Sequence, residues 1–134
     1  MRDGADVFHL AIPATDLDLA QDFYVTLLGC HLARRYDDRI TVDFFGDQLV
    51  CHRCDDDEGE NQPGLYPRHF GVTFRQRSDF DALVDLVRAR RIPMFRDVEP
   101  RFQGRVEEHV TLVLRDPSGN FLEFKHYRDH RMMY

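Results

Sequence analysis

The sequence predicts an α+β fold made of two βαβββ modules paired about a pseudo-twofold axis, with eight strands forming an open barrel around a cavity. Three observations predict it. The element order β-α-β-β-β runs through the first half and returns about sixty residues later. The strand candidates alternate apolar and polar positions, so each offers one face to a helix and the other to a cavity. Between the halves lies an acidic, Gly- and Pro-containing stretch at 55–67 (DDDEGENQPGLYP), a linker by composition. The whole chain, 1–134, reads as one domain, with module one at about 6–54 and module two at about 68–128.

Each element has a local cause. Val7–Ile12 is an apolar run that places Phe8, Leu10 and Ile12 on one face and Val7, His9 and Ala11 on the other, with Pro13 ending it. Thr15 or Asp16 caps a helix whose apolar stripe is Ala20, Phe23, Tyr24, Leu27 and Leu28, and Gly29 closes it. Three strands follow, Cys30–Tyr36, Arg39–Phe45 and Gln48–Arg53, with turns at Asp37-Asp38 and Gly46-Asp47. In the second half Arg68–Arg75 repeats the opening strand. Ser78 caps a second helix with Asp81 completing a capping box, and Phe80, Leu83, Val84 and Val87 form its stripe. Met94–Val98 is a weak strand, Glu99–Val106 a polar loop, and His109–Arg115 and Phe121–Tyr127 are the last two strands. The turn between these two, Asp116-Pro117-Ser118-Gly119-Asn120, is a run of turn formers.

Composition excludes several function classes. A hydrophobic content of 43% with 11 phenylalanines describes a folded globule. A net charge of −6, with the signs mixed along the chain, argues against nucleic acid as a partner. No apolar run approaches the roughly 20 residues of a membrane span, and the N-terminus lacks the pattern of a signal peptide. Three cysteines suggest no disulfide framework, so a cytoplasmic setting is expected. Cys51-His52-Arg53-Cys54 has no second ligand pair for zinc, and parity turns Cys51 toward the helix. The basic run at 88–91 sits at a helix C-terminus, where cations offset the dipole.

The candidate site follows from parity. The cavity-facing positions hold His9, Gln48, Val50, His52, His69, Thr73, His109, Thr111, Glu123, Lys125 and Tyr127. His9 and His69 occupy matching places in the two modules, and Glu123 faces the same way on the last strand. Two imidazoles and a carboxylate make the facial triad of non-haem Fe(II) oxygenases. The other reading of these residues is two histidines bonded to backbone and a carboxylate ion-paired with Lys or Arg.

Phe-His-Leu-Ala-Ile at 8–12, Arg-His-Phe-Gly-Val at 68–72 and Asp-Pro-Ser-Gly-Asn-Phe-Leu-Glu-Phe at 116–124 resemble the vicinal oxygen chelate superfamily. That superfamily includes glyoxalase I, extradiol dioxygenases, and the fosfomycin and bleomycin resistance proteins. The resemblance runs from about residue 6 to 128 and is nearest to small extradiol-type dioxygenases. It implies a glyoxalase-like fold with metal ligation by His9, His69 and Glu123. It also implies a divalent cofactor, Fe(II) first, with Mn(II), Zn(II) and Ni(II) as other fits. Aligning the two Gly-containing turns puts Val50 where the mate of Glu123 should stand. Glyoxalase I typically has a fourth ligand there, so the site resembles the more open one of the dioxygenases. Extradiol enzymes usually carry a tyrosine at the position that Val113 fills here. The acid–base histidine is best matched by His109, with His52 or Tyr127 as substitutes, and Lys125 or Arg101 would attract an anionic substrate group.

The expected function is thus a metal-dependent, dioxygenase-like enzyme, an oxidoreductase, acting on a small vicinal-diol or related oxygen-chelating substrate. The alternatives are a metal-dependent isomerase or lyase on the same scaffold, or a non-catalytic small-molecule binding protein with Phe102, Phe121 and Tyr127 lining its cavity. The expected partners are a small-molecule substrate and a second copy of the chain in a homodimer, with no nucleic acid and no membrane.

Overall fold

The computed structural model describes residues 1–55 and 62–134. The central part of the expected linker, 56–61, lies outside the described residues. The elements are β1 (His9–Ala14), α1 (Leu17–Gln21), a π-helix (Asp22–Leu27), β2 (His31–Arg35), β3 (Arg39–Phe44), β4 (Asp47–Arg53), α2 (Arg77–Ala89), β5 (Met94–Arg101), β6 (His109–Arg115), β7 (Phe121–Tyr127) and a 3₁₀ turn (His130–Met133). The fold is α+β and glyoxalase-like, with the order βαβββ in the first half and αβββ in the second, where isolated bridges replace the opening strand. Two compact units divide the chain, 1–63 with 117–120, and 64–116 with 121–134.

In the first unit the sheet order is β1-β4-β3-β2. β1 lies parallel to β4, and His9, Ala11 and Pro13 face Gln48, Val50 and His52. Leu49, Cys51, Ile40 and Val42 are almost fully buried on the side that α1 covers. Fully burying a side chain of this kind contributes about 1.5–3 kcal/mol. Asp16 caps α1, accepting hydrogen bonds from the amides of Asp18 and Leu19 at 2.8 and 3.0 Å. The expected single helix is in fact an α-turn followed by a π-helical segment. Gly29 closes it at φ 80°, where its amide reaches the Val25 carbonyl and the Cys30 amide reaches Tyr24. Pro13 does not end β1, which continues to Ala14. β1 is an edge strand, where a missing amide donor is tolerated. The turn 117–120 belongs to this unit: the Thr15 amide donates to Ser118 Oγ at 3.0 Å, and Asn120 Nδ2 donates to the Pro13 carbonyl at 2.9 Å.

In the second unit the sheet order is β5-β6-β7. The eighth expected strand, 68–75, is reduced to isolated parallel bridges, Phe70 with Leu122 and Thr73 with Lys125. Gly71 is the cause. A Cβ there would stand 1.9 Å from the Glu123 carbonyl oxygen, so the backbones touch and the ladder is interrupted. Four hydrogen bonds still tie the segment to β7, from Phe70, Glu123, Lys125 and Phe74 amides. Among the described residues, seven strands in two sheets therefore stand in place of the eight strands expected. β5 absorbs the expected loop start and runs through Pro100 to Arg101, bulging between Met94, Arg96 and Glu99. α2 begins one residue before Ser78, with Gln76 at the N-cap and no side-chain cap bond. Ser78 is therefore not the cap, and Asp81 pairs instead with Arg77 Nε at 2.8 Å. Phe80, Leu83, Val84 and Val87 are buried as expected, and α2 packs on β7.

Candidate functional site

The second unit gathers His69, Thr111, Glu123 and Lys125. Glu123 is 8% exposed, on the face of β7 opposite Leu122 and Phe124. Thr111 Oγ1 donates to its Oε1 at 2.9 Å. Lys125 Nζ lies 2.9 Å and His69 Nε2 3.3 Å from its Oε2. Burial pushes the Glu123 carboxyl upward, but the Lys125 and Thr111 hydrogen bonds and the charges of Lys125 and His69 outweigh it. The net effect holds the carboxyl below its ordinary range.

His69 is oriented from behind. Its Nδ1 donates to the Leu65 carbonyl at 3.1 Å, so in the neutral ring Nε2 carries the lone pair. Leu65 is fixed by packing with Val113 and Phe121. Tyr66 meets the His69 ring edge-on, with centroids 5.7 Å apart. Val113 pairs with Glu123 across the strands, and being apolar it can neither donate nor accept a proton.

His109 and Tyr127 form a second group on the same face. They are register partners, with rings 4.6 Å apart, and Phe102 lies 5.7 Å from the His109 ring. His109 is buried and donates from Nδ1 to the Glu107 carbonyl at 2.9 Å. Tyr127 lies four positions along β7 from Glu123, roughly 13 Å of strand, with the Thr111–Lys125 pair between. Arg101 binds Glu99 at 3.3 Å.

The first unit holds His9 and His52. His9 is exposed, and its Nδ1 donates to Gln48 Oε1 at 2.5 Å, which leaves Nε2 as the lone-pair nitrogen here too. Both side chains line a cavity of about 330 Å³, with Val50, Gln48, Arg34, Tyr36 and Arg39 among its other walls. Val50 is bonded in register to Ala11, as Glu123 lies beside Gly71 in the second unit, so the valine is the counterpart of the carboxylate. The structure thus brings together His69, Glu123 and Lys125, pairs His109 with Tyr127, and places His9 and His52 in the first unit. Among the described residues no three His, Cys, Asp or Glu side chains are gathered as a metal cluster.

Sequence reasoning missed the Leu65 carbonyl and the arginines of β2 and β3. The Leu65 contact has no sequence signal. Arg34 and Arg39 were legible in principle, since strand pairing places Arg34 beside Thr41 and Arg39 beside His52.

The model of the Glyoxalase/Bleomycin resistance protein/Dioxygenase superfamily matches residues 6–124. The chain belongs to this superfamily. A solved superfamily protein, a glyoxalase/bleomycin resistance protein/dioxygenase from Alicyclobacillus acidocaldarius, is 61% identical over 100% of both chains, with a TM-score of 0.94. Two further solved structures share the fold. Lactoylglutathione lyase from Agrobacterium tumefaciens is 19% identical, with 93% of this chain and 96% of that chain covered and a TM-score of 0.66. The fosfomycin resistance protein FosX from Listeria monocytogenes is 14% identical, with 99% and 100% covered and a TM-score of 0.69. No curated protein matches the sequence. No helix among the described residues is long and apolar enough to cross a membrane.

Proposed function

We propose that the chain is a metal-dependent enzyme of the dioxygenase type. Its substrate would be a small molecule with two neighbouring oxygen atoms, and its ligands His9, His69 and Glu123. The superfamily commonly uses divalent metals. The observation that carries the reading is the His69–Glu123 pair: an imidazole anchored at Nδ1 presents Nε2 to a buried carboxylate that is held ionised. Anchoring of the second ring nitrogen is what a ligating histidine needs. His9, anchored through Gln48, has the same tautomer, and its claim to be the third ligand rests on its matching place in the repeat. Lys125 shares Oε2, so an ion bound at that oxygen takes the place of its ammonium.

A bound divalent ion, Fe(II) above Mn(II), Zn(II) or Ni(II), would supply Lewis acidity and, as iron, redox chemistry. The protein's own residues do the rest. Thr111 keeps the Glu123 carboxylate oriented. His109, with its Nδ1 held and Tyr127 against its ring, would serve as base for a substrate that spans the roughly 13 Å of strand between it and Glu123, and His52 is the alternative base. Val113 keeps the wall beside Glu123 apolar.

The test is metal content after reconstitution, followed by oxygen uptake with a panel of catechols. One ion per chain is expected, lost in His69→Ala and Glu123→Gln, with uptake above the metal-free control. Metal content indifferent to both substitutions would sink the site. Val113 favours one second reading: without a hydroxyl at that position, a metal-dependent isomerase or lyase needs only the proton transfers. Full metal loading with no oxygen uptake on any catechol selects it. A protein that binds no metal yet takes up small aromatics would be the binding module instead. The homodimer is part of the proposal and is read from the mass in solution by light scattering.

A further inference from the structure

We infer that the cavity on the first unit's sheet is an anion subsite, which takes the carboxylate or phosphoryl group of the substrate between Arg34 and Arg39. That the anion is part of a substrate rests on the proposed function; the anion site itself does not. The cavity is about 330 Å³, enough for a small molecule. Among the described residues its walls include two arginines and no carboxylate, on a chain whose net charge is −6.

The two units differ at this point. In the second unit, the strand row that contains Glu123 and Val113 ends in Arg96, which lies 3.8 Å from Glu99. In the first unit, the matching row of Val50 and Thr41 ends in Arg34. The Arg34 side chain makes no ion pair or hydrogen bond with any described residue, and the row offers it only a valine and a threonine. Arg39 is held at one end, with Nη1 bound to Asp38 at 2.7 and 3.0 Å, and its guanidinium lies 4.3 Å over the Tyr36 ring. Its other donors are left for a ligand. A guanidinium fork fits a planar carboxylate or a phosphoryl group with two parallel hydrogen bonds. Gln48 and Tyr36 add polar atoms at the rim, and His9 places the cavity beside a proposed metal ligand.

The experiment titrates chelator-treated protein with inorganic phosphate and, separately, benzoate, read by calorimetry and amide chemical shifts. Saturable binding of at least one probe is expected, and which of the two binds more tightly separates phosphoryl from carboxylate. Arg34→Gln and Arg39→Gln should each weaken it by about tenfold or more. Arg34→Lys should fall between, and Arg77→Gln should leave it unchanged. Thermal melts confirm that each variant is folded. No binding of either probe, or binding that survives both arginine substitutions, overturns the subsite. Binding that appears only with added metal and disappears in Glu123→Gln also overturns it, while leaving the metal reading intact. Loss in the arginine variants of a protein that proves to hold no metal keeps the anion site and removes only the enzyme around it.

Discussion

At Glu123 the energetic problem is a carboxylate only 8% exposed in the middle of a sheet. Desolvation alone would neutralise it. Thr111 and Lys125 each give it a hydrogen bond, and Lys125 and His69 add favourable charge, so the folded carboxyl stays below its ordinary range. A group whose folded pKa is depressed adds stability above its unfolded value, near 4.5, and loses it as pH falls through the folded value. Denaturation curves should therefore show acid destabilisation below about pH 4.5 that is reduced in Glu123→Gln. Thr111→Val should cost about 1–2 kcal/mol at neutral pH and raise the Glu123 pKa, because a buried acceptor loses its donor at constant shape. Lys125→Gln separates the two readings of this carboxylate. If the lysine is only a structural partner, metal binding stays absent or unchanged. If an ion binds at Oε2, removing the competing ammonium tightens it by up to roughly fivefold, measured by competition with a fluorescent chelator.

At the scale of elements, local chemistry decides what was legible. β6 and β7 match their expected limits because each is a period-2 run bounded by turn formers. The face carrying Glu123 and Thr111 was therefore readable, although their hydrogen bond was not. Helix stripes were readable for the same reason, and caps were not. Ser78 satisfies a capping pattern, but α2 starts at Arg77 with Gln76 at its N-cap, and Phe80 and Leu83 are buried beneath it. Ser78→Ala should thus change stability by less than about 0.5 kcal/mol, whereas Asp16→Ala, which removes a formed cap, should cost about 1 kcal/mol. Urea midpoints of the two variants decide it. Gly71 is the clearest case of a constraint invisible in sequence: nothing in Arg-His-Phe-Gly-Val says that the glycine touches the Glu123 backbone. Gly71→Ala must displace either the 68–75 segment or β7, so it should cost more than about 2 kcal/mol. It should also weaken metal binding through Glu123 without touching a ligand.

At the scale of the whole molecule, the repeat was legible because each module repeats its alternation, and the proposed function rests on the asymmetry within the repeat. Val50 stands where Glu123 does, Arg34 is left among the described residues without the acid that Arg96 has, and a histidine opens each module. The proposed ligands come from both halves of the sequence, so metal binding should register as stability of the entire chain rather than of one element. An ion at a hundred times its dissociation constant adds about 2.7 kcal/mol, or roughly 10 °C in melting temperature for a chain of this size. His69→Ala and Glu123→Gln should abolish that rise. His9→Ala is the decisive variant, since its claim rests on repeat position. A rise reduced with His9→Ala makes three ligands, and an undiminished rise limits the ion to His69 and Glu123. The melt needs no substrate, so it tests the ligand set even if the reaction proves to be something other than oxygenation.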